Sequence, residues 1–170
     1  ASVYDGAGNA APHVSVGGVS AVSTGSVSLN DLVPPIISST SLAVDNSYID
    51  LSFDAGVYGT SGGTGAVGAG SFTVSPSPTY GIGPVKTASD SSLASGGGDD
   101  VIRVYLTGTG SADGSESLSV TVAAASVYDG AGNAAPHVSV GGVVAVSTGS
   151  VSLNDLAPPI ISSTSLAVDN

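Results

Sequence analysis

Apolar and polar positions alternate along this chain with a period of two, and nowhere recur with the spacing of a helix face. The clearest run is 48–55, where Ile49, Leu51 and Phe53 fall on one side and Asp50, Ser52 and Asp54 on the other. Successive side chains of a strand point to opposite faces, so such a run predicts a strand with one buried face. The same pattern turns Phe72 and Val74 inward in 71–75, Ile102, Val104 and Leu106 in 101–107, and Leu118, Val120 and Val122 in 117–123. A first strand over 36–44 ends at the turn Asp45-Asn46, and an edge strand is expected near Val85. After Val127-Tyr128-Asp129, Val138 and Val140 are expected to return along a last strand. The segments 59–70 and 76–98, rich in Gly, Ser and Pro, read as mostly loop. About seven strands with one apolar face each must bury those faces against one another. The pattern therefore predicts an all-β fold, a two-sheet β-sandwich.

The pattern also repeats at long range. Residues 125–170 copy residues 1–46 except at two positions, Val144 for Ser20 and Ala157 for Val33. Ala1 recurs as Ala125, an offset of 124 kept without insertion. Copies this close at one fixed spacing mark a tandem array, and a period of this length is the size of a domain. Residues 1–32 are read as the closing strands of a preceding repeat, 33–156 as one complete repeat, and 157–170 as the first strand of the next. The 170 residues are then expected to be a window on a longer chain. Pro34-Pro35 and its copy Pro158-Pro159 mark the boundary, because proline starts a strand or sits on its edge and stiffens a connection. Neither partial repeat can bury its apolar face alone. Neighbouring repeats are the expected partners, in a head-to-tail filament advancing roughly 40 Å per sandwich.

Composition narrows the partners. Only 9% of residues are charged, the net charge is −11, and Lys86 and Arg103 are the two fixed cations. Such a balance disfavours nucleic-acid phosphates and anionic membranes while tolerating divalent cations. No apolar run approaches the roughly 18 residues of a membrane span, so no membrane insertion is expected. The chain has no cysteine, so stability must come from packing, neighbours or metal.

Candidate chemistry is sparse. The turn Asp129-Gly130-Ala131-Gly132-Asn133, with its copy at 5–9, reads either as a hairpin loop or as part of a calcium site. In the first reading Asp and Asn bond their own backbone; in the second, carboxylate, amide and backbone oxygens take the ion. Asn30-Asp31 and its copy Asn154-Asp155 are a second candidate, against a solvated linker. In a sandwich whose loop between its last two strands lies at the end where the first strand starts, Asp31, Asp54 and Asp129 would converge. Without cations nearby they would repel unless an ion separates them. The expected calcium set is Asn30, Asp31, Asp54, Asp129 and Asn133, an ion that would stiffen the joint. Asp99-Asp100 and 113–116 are acidic turns, each also readable as solvated loop. His13 and His137 occupy one repeat position and lack the partners of a zinc site. Asp50 and Asp54 share a strand face without a cleft, so no enzyme is expected.

The order of these motifs resembles a known family. Pro-Pro is followed by Ser-Tyr-Ile-Asp-Leu-Ser-Phe-Asp and Ser-Phe-Thr-Val-Ser, and the repeat closes on Tyr-Asp-Gly-Ala-Gly-Asn. This is similar to the bacterial immunoglobulin-like repeats of very large secreted and cell-surface proteins, including those of the cyanobacterial swimming-protein type. The resemblance implies an immunoglobulin-like sandwich in an extracellular array, acting as stalk, extender or fibre. The alternative is an adhesive module for glycans or surfaces, for which Tyr58, Tyr80 and Tyr105 are the available aromatics.

Overall fold

The structure, a computed structural model, describes residues 6–10, 29–76, 79–137 and 145–160. The chain divides into two compact units, Ala1–Asn30 and Asp31–Asn170. In the first, the described residues include the turn at Gly6-Ala7-Gly8, with Gly8 at positive φ.

The described residues of the second unit form seven strands: β1 (Ile37–Leu42), β2 (Tyr48–Val57), β3 (Phe72–Ser75), β4 (Gly81–Thr87), β5 (Asp99–Thr107), β6 (Ser117–Val122) and β7 (Val151–Ser152). They form two antiparallel sheets, one in the order β1-β2-β5-β4 and the other β3-β6-β7. Among the described residues the only helical element is the short 3-10 turn Ala69–Ser71. The alternation seen in the sequence is kept: Ile49, Leu51, Phe53, Phe72, Ile102, Val104, Leu106, Leu118, Val120 and Val122 are buried, and Val74 is partly so. They join one core shared by both sheets.

Several elements differ from the expectation. The strand near Val85 lengthens to β4 and lies on the edge of its sheet, where Pro84 falls within a register shift between Ile82 and Val85. An edge is where a residue without an N–H does least harm. The expected last strand at Val138 and Val140 lies outside the described residues, as do His13 and most of the strand expected after 157. Among the described residues, β7 pairs with β6 on the edge of the second sheet through Leu118 and Val151. Leu153, just beyond it, sits in the core. Val57, Val67, Tyr80, Val127 and Val146 also enter the core from loops and strand ends, positions where no alternation marked them.

Candidate functional site

Several of the residues singled out in the sequence lie at or against the two copies of one joint, 31–36 and 155–160. Each begins with an aspartate whose side chain folds back on the chain. Asp31 Oδ1 accepts the N–H of Val33 at 3.0 Å, and Asp155 Oδ1 accepts that of Ala157 at 2.9 Å. Such turns are what aspartate does ahead of proline, and both copies make the same one.

The first copy is held by the turn 129–133. Asp129 is buried, and its Oδ1 accepts the N–H groups of Ala131 (2.9 Å) and Asn133 (2.8 Å). Its Oδ2 accepts Asn133 Nδ2 at 2.7 Å. Burial alone would raise the Asp129 carboxyl, but hydrogen bonds from Asn133, Ala131 and Gly132 outweigh it and hold the group below the usual carboxylate value. The same Asn133 amide donates to the carbonyl of Asp31 at 3.2 Å and lies 3.5 Å from that of Val33. From the other side, Asp54 Oδ1 accepts the N–H of Ile36 at 2.9 Å, and Asp54 N–H donates to the Ile36 carbonyl at 3.1 Å.

Close backbone packing explains the glycines here. Gly132 has φ +90, and a Cβ there would run into the Ser61 carbonyl; one on Gly63 would meet the Gly130 carbonyl at 2.6 Å. The loop 59–65 thus lies directly against the turn. Tyr58 and Tyr128 tie the two together by reciprocal backbone bonds of 2.8 and 2.9 Å.

The second copy is held by Asn46, a residue the sequence marks only as part of a turn. Asn46 has φ 58 and is fully buried. Its Nδ2 donates to the Asn154 carbonyl (2.8 Å), and its Oδ1 accepts Asn154 N–H (2.9 Å) and Nδ2 (3.1 Å). Asn154 Nδ2 also donates to the Ala43 carbonyl, and Thr109 Oγ1 donates to that of Asn46. Leu156 N–H reaches the Ala112 carbonyl at 2.7 Å, setting Asp155 opposite Asp113.

The predicted calcium residues are therefore partly brought together. Asp31 and Asn133 meet, Asp129 supports Asn133, and Asp54 holds the same segment at Ile36. Asn30 belongs to the other unit. N–H donors engage the Asp129 carboxylate on both oxygens, and among the described residues no group of three or more His, Cys, Asp or Glu converges as a metal cluster. The acidic turns are occupied locally: Asp113 Oδ1 accepts from Ser115, Glu116 Oε2 from Asp113 N–H, and Asp99 Oδ2 from Ala94 N–H.

The candidate aromatics do not form a platform. Tyr80 is buried in the core, which removes it from the surface set, and the rings of Tyr58 and Tyr105 are engaged. Tyr58 packs along Gly97, Gly98 and Gly130, while the Tyr105 hydroxyl donates to Asp90 at 2.6 Å. Arg103 stacks 3.7 Å from the Tyr48 ring and pairs with both oxygens of Asp50 at 2.8 and 2.9 Å. A shallow groove of about 410 Å³ over the second sheet is lined by Ser75, Ser117, Ser119, Ser147 and Ser150 beside Pro76, Leu118 and Gly149. None of those residues titrates near neutrality. Among the described residues no helix is long and apolar enough to cross a membrane. Comparison with family models, curated proteins and solved structures finds no match.

Proposed function

We propose that residues 33–156 are one structural repeat of a large extracellular bacterial surface protein or filament, an extender or fibre unit without catalytic activity. The observation that carries this reading is the continuity of closure and restart. The repeated segment supplies β7 and the core residue Leu153, then runs at once into a second joint with the same aspartate turn as the first. The module is proposed to be immunoglobulin-like. Its strand orders β1-β2-β5-β4 and β3-β6-β7 support this, since they correspond to the A-B-E-D and C-F-G sheets of a constant-type immunoglobulin sandwich. The partners are neighbouring repeats of the same protein.

Mass spectrometry of the denatured native material and electron micrographs of the intact material test the reading together. Fibres or cell-anchored stalks with a mass of many periods are the expected result. Single, dispersed modules with the mass of one period would refute it. Calcium as an accessory of the joint is tested separately. The N–H donors on Asp129 support a joint closed by hydrogen bonds. A rise in melting temperature on adding calcium to chelator-treated protein would add the ion to that joint, and unchanged melting would leave hydrogen bonds alone.

A further inference from the structure

The large apolar side chains exposed among the described residues are Leu29, Leu32, Val33, Ile36, Val44 and Ile160. All but Val44 lie in one copy of the joint or lead into it. Val44 sits on the loop 43–46, whose Ala43 and Asn46 hold Asn154. Exposed apolar residues concentrated in the segments at a module boundary mark surfaces that a neighbour covers.

The two copies are covered on opposite halves. In the second, Leu153 is 3% exposed and Leu156 is half-buried, while Pro159 is bare and Ile160 is 85% exposed. In the first, Pro35 is fully buried and Ile36, 49% exposed, is bonded to Asp54, while Leu32 is 79% exposed. Leu32 is exposed where its counterpart Leu156 is half-buried, and Pro159 is exposed where its counterpart Pro35 is buried, while Val33 and Ala157 are exposed in both copies.

We infer that consecutive modules dock directly on each other across a joint that both hold, with Val44 of the first module buried at the contact with the second. This rests on the tandem-array reading proposed for the chain. The two holds do not compete for atoms. In the second joint the bond runs from Leu156 N–H to the Ala112 carbonyl, the flanking positions of the Asp113–Asp155 bridge. In an antiparallel pair of this kind the carbonyl of the bridged residue itself points away from the partner strand. In the first joint it is that same carbonyl, on Asp31, that accepts Asn133 Nδ2. One aspartate can therefore be bridged by the loop of the module behind it and capped by the Asn133 of the module ahead. No free linker remains between them.

Thermal unfolding of the 170-residue chain beside chains extended by one and by two further periods tests this. When each repeat is stabilised by its neighbour, stability grows with repeat number. The expected result is a melting temperature that rises by several degrees per added module. Val44→Asp in every module should abolish that rise and leave the melting of the 170-residue chain unchanged, because Val44 is 87% exposed there. Added modules that fold but melt at the unshifted temperature would overturn the docking and leave the array reading standing. A Val44→Asp shift equal in all chains would also overturn it. Added periods that contribute no unfolding amplitude would refute the array reading itself.

Discussion

Removing the Asn46 side chain is the sharpest perturbation of the module. Asn46→Ala deletes the three bonds that its amide makes with Asn154, at 2.8, 2.9 and 3.1 Å. A net hydrogen bond contributes about 1 kcal/mol, and water reaches the exposed Asn154, so about 2 kcal/mol is lost from the three together. Alanine at φ 58 costs about 1 kcal/mol more, because asparagine tolerates the left-handed region and a Cβ-bearing residue without a local hydrogen bond does not. Asn46→Ala should therefore cost about 3 kcal/mol. Asn46→Gly, free of the backbone penalty, should cost about 2 kcal/mol. With a urea m-value near 1.5 kcal/mol/M, the alanine variant loses ~2 M from its midpoint. A double-mutant cycle with Asn154→Ala should return a coupling of at least ~1 kcal/mol. Both single variants within ~0.5 kcal/mol of the parent would refute the role assigned to this clasp.

Three further outcomes follow from the geometry. Arg103→Lys should lose about 1 kcal/mol in chemical denaturation, and Arg103→Ala about 2 kcal/mol, because the two-point pairing with Asp50 and the stacking on Tyr48 need the planar guanidinium; a lysine variant as stable as the parent would contradict this. Asp129 has a depressed carboxyl pKa in the folded state, so its stabilisation is complete above the unfolded value of about 3.9 and fades as pH falls through the lower folded value. Acid titration of Asp129→Ala should accordingly show a shallower loss of stability below about pH 4 than the parent shows, and identical slopes would count against it. Gly132→Ala, strained at φ +90 and blocked by the Ser61 carbonyl, should lower stability by more than about 1 kcal/mol, while Gly68→Ala, in open space, should stay within ~0.5 kcal/mol.

The long alternating runs were legible because each carries its own signal. β2, β5 and β6 bury every second residue over six or more positions, and no distant partner is needed to see it. β4 was half-visible, since Pro84 and its glycines speak against a strand until an edge position accommodates them. β7 was hard to read, because two residues of strand leave almost no period to see. The turn at Asp129 was legible as a loop stabilised by its own backbone, a local matter of five residues. Its hold on Asp31 spans 102 positions and follows from the topology that brings strand ends together. Asn46 was the real omission. Asp45-Asn46 looks like any turn, and only the fold reveals that Asn154, 108 residues on, completes its hydrogen bonds.

The shortness of β7 has a consequence for how such a chain finds its own fold. The closing sequence Val151-Ser152-Leu153 is identical to Val27-Ser28-Leu29, which precedes the module that it could equally close. No side chain distinguishes the two, so the slot beside β6 cannot choose between them by shape or chemistry. Only tether length can, through the effective concentration that each connection imposes. In the tandem array proposed above, exchange of last strands between neighbours would then be nearly degenerate in contact energy. During synthesis, the copy that emerges earlier has the first opportunity to bind.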